Sequence, residues 1–325
     1  MRIKRALLYL QRILTPEEKP NPVSSLRICW YLLNHLKFDR VWHAFDPAPD
    51  PLPDIDELWF VCSSWAYLED SFRQQTLKVF PKADRVVWCN NDFNVPFHGY
   101  HLGRVRMDAH LCALSSVAQI ADRFASPIFD WNRLTYTPRE TPASYDDRLA
   151  RIYYYGTLRP GRLRHFDRSF PAFGPRLTLS SANGIDAKRY AERYPTIEVT
   201  KREEDIVATL EKYYATVIFE DKFAWTNYVS PPNRFYEALS AGTAMFFEPE
   251  AVEMWSRYGY DIRPFLIPDN PEEMLDRAKA VARKQRKWRR MHDVEMNTEF
   301  KKLLPQINKQ RFGLIGTPEG AKRYI

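Results

Sequence analysis

Ser230-Pro-Pro-Asn-Arg-Phe-Tyr-Glu-Ala-Leu-Ser-Ala-Gly-Thr-Ala-Met-Phe-Phe-Glu-Pro249 is the stretch on which the reading of the fold turns. Pro231 and Pro232 pre-set the backbone for a first helical turn and lack N–H groups that would be orphaned there. Phe235, Ala238 and Leu239 recur at helical spacing and form a buried stripe. Gly242 supplies a left-handed stop, and the apolar run Ala244–Phe247 returns to a sheet. A helix that opens at the carboxyl end of a parallel strand presents free amides and the positive end of its dipole, which makes it an anion site. A diphosphate docked there puts the following ribose roughly 5–8 Å along the helix, and Glu237, roughly four or five residues in, lies at a similar distance at about 1.5 Å per residue. A carboxylate at that point accepts hydrogen bonds from both ribose hydroxyls. The spacing suits a nucleoside diphosphate.

Working backwards, the second half alternates strands and helices. Ile152–Tyr155 reads as a strand ending in Gly156, followed by a basic turn and a helix near Phe166. Arg176–Leu179, Ile197–Val199 and Thr216–Phe219 read as strands, with helices over Ala187–Tyr194, Glu203–Tyr213 and Asn233–Ser240. The first half repeats the theme. Arg5–Leu10, Val41–Phe45, Leu58–Cys62, Arg85–Cys89 and Leu111–Ser115 read as strands, with helices over Ser24–Leu36 and Leu68–Phe80. Strands alternating with helices point to parallel βαβ units, hence an α/β chain of two Rossmann-like doubly wound domains. Thr135–Asp147 carries two prolines and no apolar period, and marks the boundary. The expected domains are 1–147 and 148–290, with a polar segment 291–325 packing back on the first.

The quoted stretch resembles the nucleotide-sugar signature of GT-B glycosyltransferases, in which a Glu opens Glu-Ala-Leu-x-x-Gly before a buried strand. By that resemblance Glu237 binds the donor ribose. The preceding loop, Trp225-Thr-Asn-Tyr-Val-Ser, cradles the diphosphate, which assigns Thr226, Asn227, Tyr228 and Ser230 to the donor together with Arg234. Retaining members often carry a second acidic residue eight positions earlier, and here that position is Val229. Tyr153-Tyr-Tyr-Gly-Thr-Leu-Arg-Pro-Gly-Arg resembles the start of the GT-B second domain. It places Gly156, Arg159 and Arg162 near the donor phosphates, with Arg164 in reserve. Guanidinium groups there stabilise charge growing on a leaving diphosphate, which makes Arg159 and Arg162 catalytic candidates. Phe265-Leu-Ile-Pro-Asp-Asn-Pro-Glu-Glu-Met-Leu matches the family's closing loop and helix. The resemblance covers about the last half of the chain. Its competitor is structural, because Glu-Ala-Leu-x-x-Gly is also an ordinary way to end a helix.

GT-B acceptors bind the first domain, so the loop beyond Arg85–Cys89 is expected to receive one. Asn91 and Asp92 either contact and deprotonate the acceptor hydroxyl, with Asp92 as catalytic base, or cap the loop as Asx turns. His98 and His101 orient the acceptor or serve no ligand. Trp65, after Ser63 and Ser64, stacks on a base or sugar or belongs to the core. Asp54-Ile-Asp56 has the Asp-x-Asp form of a metal site but stands before a strand, and no metal is expected.

Composition narrows the class further. The 325 residues are 45% hydrophobic and 14% aromatic, enough for true cores. With 11 Gly there is neither a G-x-G-x-x-G nor a P-loop, and no G-x-S-x-G elbow, so dehydrogenase, kinase and serine-hydrolase readings lack their defining loops. Four scattered cysteines are expected as buried, reduced thiols. No apolar run reaches the roughly 20 residues of a membrane span. A monomer in the cytoplasm is expected, needing no cofactor beyond the nucleotide-sugar, UDP-glucose or a similar donor. The formal net charge of +7 asks for an anionic partner, and the excess gathers at Arg277, Lys279, Arg283, Lys284, Arg286, Lys287, Arg289 and Arg290. The chain resembles, at family level, phage DNA glycosyltransferases, which transfer sugar onto hydroxymethylated pyrimidines. That resemblance implies double-stranded DNA as acceptor, with Arg104, Arg106, Arg123 and the late basic helix towards the duplex. Two alternatives stand beside it. One is a transferase acting on lipopolysaccharide or another surface glycan. The other is a non-catalytic nucleic-acid-binding protein on the same scaffold.

Overall fold

The structure is a computed structural model and describes residues 3–9, 24–43, 54–61, 82–90, 109–112, 127, 129–136, 144–156, 159–181, 184–203, 205–221, 231–292 and 296–309. The chain divides into two compact units, one from Met1–Leu134 and Glu295–Ile325, the other from Thr135–Thr226 and Pro231–Val294.

The first unit holds β1 (Arg5–Tyr9), α1 (Ser24–His35), β2 (Arg40–His43), β3 (Ile55–Val61), β4 (Ala83–Asn90) and β5 (Ala109–Cys112). The strands form one parallel sheet in the order β2-β1-β3-β4-β5. Leu58–Val61 and Val86–Cys89 are buried without alternation, the pattern of strands covered on both faces. Cys29 and Cys89 are free thiols inside this core, and burial pushes both above the ordinary thiol range. The unit is completed from far along the chain. A helix at Met296–Lys309 buries Phe300 and Ile307 in the same core. Phe300 meets Tyr31 edge-on at 5.3 Å and Phe129 at 5.4 Å. Polar ties fix the docking: Arg133 reaches both Glu299 oxygens at 3.1 Å, and Arg85 donates to Asn308 at 3.0 Å.

The second unit contains β6 (Leu149–Tyr155), α2 (Pro160–Phe173), β7 (Leu177–Ser181), α3 (Gly184–Arg193), β8 (Glu198–Lys201), α4 (Ile206–Leu210), β9 (Tyr213–Ile218), α5 (Asn233–Ala241), β10 (Ala244–Phe247), α6 (Val252–Arg257) and α7 (Pro271–His292). The Met296–Lys309 helix is α8. The sheet is parallel throughout in the order β10-β9-β6-β7-β8. Counted within the unit this is 3-2-1-4-5 read from the far edge, the Rossmann order. Phe166 and Phe170 of α2, stacked at 4.7 Å, press on Tyr154 and Phe219 on one face. Phe235 of α5, Trp255, Tyr260 and Trp288 of α7 gather in the same core.

Several expectations change in detail. Glu203–Tyr213 is not one helix. Asp205 caps Ala208 at 2.9 Å, α4 stops at Leu210, and Tyr213 is already paired beside Leu149. Pro232 has ψ 160° and is the N-cap of α5, so the prolines precede the first turn instead of forming it. The α5 stripe is a fully buried helix, since Tyr236, Glu237 and Ser240 are inside along with the apolar positions. Gly242 closes it in the left-handed region (φ 63°), with Thr243 N–H reaching Ala238 O at 3.1 Å. The expected helix Leu68–Phe80 lies outside the described residues. Among the described residues no helix is long and apolar enough to cross a membrane.

Truncating Phe300 to Ala removes the aromatic anchor of α8 and should cost about 3–5 kcal/mol, read as a lower denaturant midpoint. An unchanged midpoint would show that α8 adds nothing to the first core.

Candidate functional site

The order of the second sheet reverses between β6 and β9, and in open α/β sheets ligands collect beyond the carboxyl ends at that point. β6 delivers Tyr155 and Gly156 there. A Cβ on Gly156 would stand 2.9 Å from the Tyr154 hydroxyl and 3.0 Å from Arg234 Nη1, so a side chain there would have to displace the ends of both. Arg159 then sits exposed at the N-cap of α2 in extended conformation, with no side-chain cap on the helix and Pro160 at its first position. Gly161 lets this turn approach the end of β9, because a Cβ there would lie 2.8 Å from the Asp221 Cβ.

β9 delivers Glu220, only 3% exposed. Its carboxylate is gripped from two helices: Arg162 of α2 donates to Oε2 at 2.8 Å, and Arg234 of α5 donates to Oε1. Arg234 also donates to Phe219 O at 2.8 Å and to the Tyr154 hydroxyl at 3.2 Å. Burial opposes both charges, but the pairing wins. The two guanidiniums hold the Glu220 carboxyl below its ordinary range, and Glu220 in turn raises Arg234. Arg162 is itself only 7% exposed. Its charge is committed to Glu220; Arg159, at the helix start, is exposed.

Glu237 lies in the second turn of α5, 6% exposed, and its Oε2 accepts a close hydrogen bond from the Tyr155 hydroxyl. Burial first, and then the Glu237 charge, push Tyr155 well above the usual phenol range, so it remains a donor. Arg202, after β8, lies 5.3 Å over the Tyr155 ring. One turn beyond Arg162, His165 is buried against Glu248, which follows β10, and burial pushes the Glu248 carboxyl up.

The structure therefore brings Gly156, Arg159, Arg162, Arg234 and Glu237 to one end of one sheet. Thr226, Asn227, Tyr228 and Ser230 on the donor side lie outside the described residues. So do Trp65, Asn91, Asp92, His98, His101, Arg104 and Arg106 on the acceptor side. Asp56 of the Asp-x-Asp pair accepts the Lys4 amide at 2.5 Å. Among the described residues no cluster of three or more His, Cys, Asp or Glu could hold a metal. Sequence reasoning missed Tyr155 and Glu220. The available signal for Glu220 was its place, a carboxylate directly after the buried run that ends β9.

Two parallel Rossmann-like sheets, each in its own unit, are the GT-B fold. The chain matches the solved alpha-glucosyltransferase of phage T4 in complex with UDP and a 13-mer DNA containing a HMU base, at 14% identity and TM-score 0.56, covering 95% of this chain and 100% of that one. The same enzyme with UDP and a 13-mer DNA bearing a central A:G mismatch matches at 13% and 0.56, over 94% and 100%. HepE of Anabaena, in complex with UDP and glucose, matches at 10% and 0.54, again over 94% and 100%. Identities this low establish the fold. No protein-family model matches the sequence, and no curated protein does.

Replacing Glu220 with Ala leaves two buried guanidiniums without their shared carboxylate and should cost about 3–5 kcal/mol, measured by chemical denaturation. The sign of the pH dependence follows from its lowered carboxyl. The contribution is complete above the unperturbed value of 4.5 and is lost as acid titrates the group below it. Wild-type stability in Glu220→Ala would refute the clamp.

Proposed function

We propose that the chain is a glycosyltransferase that binds a UDP-sugar at the carboxyl end of the second sheet and transfers the sugar to the hydroxymethyl group of a modified pyrimidine in duplex DNA. The observation that carries the reading is the convergence of an uncapped α2 start bearing Arg159 with a carboxylate, Glu237, oriented by Tyr155. The positive end of the α2 dipole and the Gly161 N–H receive the diphosphate, since Pro160 has no N–H and that of Arg162 donates to Arg159 O at 2.9 Å. Gly156 lets the donor approach the backbone, and Glu237 accepts from the ribose hydroxyls. Arg159 neutralises charge on the departing UDP as the glycosidic bond breaks. Arg162 and Arg234 act through Glu220, holding both helix starts in place, and are positioning residues. With guanidinium and helix dipole on the leaving group, no metal or further cofactor is needed.

On the acceptor side, Asp92 takes the hydroxyl proton, with Asn91, His98 and His101 orienting the acceptor, Trp65 stacking on the base, and Arg104 and Arg106 on backbone phosphates. Support for DNA comes from the net charge of +7 and from the UDP–DNA complexes of a structural neighbour.

Glu237→Gln keeps an acceptor for Tyr155, so the fold should hold while UDP affinity falls by about 10–100-fold, the loss of a charge-assisted hydrogen bond worth about 1.5–3 kcal/mol. Calorimetric titration that finds wild-type affinity would remove the ribose role. Glu237→Ala is the poorer probe, because it also strands a buried hydroxyl. Arg159→Ala should lower turnover about 100-fold or more with little change in melting temperature, and equal losses of both would make it structural. The activity itself is tested by mass spectrometry of hydroxymethylated and unmodified duplexes after incubation with a panel of UDP-sugars. A mass gain on the modified duplex alone is expected. No gain on either duplex, with UDP released from the donor, would move the acceptor to a glycan.

A further inference from the structure

The basic run of α7 does not point to the carboxyl end of the sheet. Met274, Leu275, Ala278, Val281, Gln285 and Trp288 form the buried face of the helix. Lys279, Arg283 and Arg286 recur at i, i+4 and i+7 and so share the flank beside that face. This flank, with Arg289, lines a cavity of about 240 Å³ at the amino end of the sheet, where β6 and β10 begin. β6 spans seven residues, so about 23 Å of strand at roughly 3.3 Å per residue separates this cavity from the site at Gly156.

The fifth cation is Arg148, the residue before β6. It is 7% exposed, lies 4.5 Å over the Tyr145 ring, and donates to Thr243 Oγ1 and Ala241 O, each at 3.1 Å. Tyr145 is anchored in turn, accepting from Ala244 N–H at 2.9 Å and donating to Tyr214 O at 2.8 Å. The wall bearing Arg148 is therefore rigid. Among the described residues no acidic side chain lines the cavity. The nearby carboxylate of Asp146 meets Lys279 at 3.0 Å, and among the described residues Arg283 and Arg286 have no carboxylate partner. Asp146 offsets only Lys279; the arginines gathered around one concavity repel one another, and partial exclusion of water strengthens that repulsion. A solvated helix face disperses its charges; here a buried arginine on a second element completes the enclosure.

We propose that this cavity is a second anion site, distinct from the donor site, that takes a phosphate group in the forks of Arg283 and Arg286, with Arg148 adding its charge from the wall. Guanidinium geometry matches phosphate oxygens in bidentate pairs, and the volume holds a phosphate with part of an attached group rather than a whole nucleotide. The phosphate comes either from a nucleic-acid backbone or from a small free phosphate. The proposal stands whether or not the donor site binds UDP.

The test compares wild type, Arg283→Gln/Arg286→Gln and Arg159→Ala, with pyrophosphate and a short unmodified duplex as probes. Both α7 residues are exposed, so the double variant should melt as wild type does. Calorimetry should show pyrophosphate binding that weakens at least tenfold in the double variant and persists in Arg159→Ala. A duplex that competes with pyrophosphate for this site identifies the backbone as the source. The salt slope of duplex binding should then fall in the double variant by about 0.9 for each backbone phosphate that is no longer neutralised. Pyrophosphate binding that the duplex does not displace identifies a free phosphate. Equal affinities of wild type and double variant for both probes, or no binding of either probe to wild type, would overturn the proposal.

Discussion

A single buried carboxylate organises the second unit. Glu220 sits at the end of β9 with one oxygen on Arg162 and the other on Arg234, and so ties the strand to the first turns of both α2 and α5. Removing water from such charges is costly, and the arrangement holds only while all three partners are present. Its consequence is geometric. The start of α2 and the second turn of α5 are fixed on the same end of the sheet, where Arg159 and Glu237 can address one ligand. Gly156 and Gly161 belong to the same constraint, because each stands where a Cβ would collide with a neighbour of this junction.

The aromatic packing serves that junction. Phe166 and Phe170 hold α2 over Tyr154 and Phe219, the residues that flank the clamp on β6 and β9. Tyr154 adds its hydroxyl to Arg234, and Tyr155 turns the opposite way to Glu237. Alternation along β6 thus sends neighbouring tyrosines to different duties, one supporting the clamp and one orienting the carboxylate.

Much of the second unit was legible because local signals agreed. Gly242 stopped a helix, and Ala244–Phe247 resumed the sheet. What escaped were facts of tertiary pairing. Arg162 and Arg234 read as ligand-facing cations because sequence does not show that Glu220, 58 and 14 residues away, meets them. The sequence placed only Phe235, Ala238 and Leu239 in the buried stripe, and the burial of Tyr236, Glu237 and Ser240 comes from the elements packed on α5. The polar composition after Met291 hid the pair Phe300 and Ile307, whose spacing of seven marks one face of α8. The net positive charge was a correct count with mixed meaning. Some arginines are engaged inside the fold, while Arg283, Arg286 and Arg289 of α7 border a cavity that no acidic side chain lines among the described residues.

The junction at Gly156, Glu220 and Glu237 is where the nucleotide is expected to bind. Hydrogen exchange of the full chain with and without saturating UDP tests this most directly. Amides of residues 156–165 and 231–238 should exchange more slowly with UDP, while those of 271–292 should keep their rates. Protection confined to 271–292, or no protection at the junction at UDP concentrations that saturate binding, would contradict it.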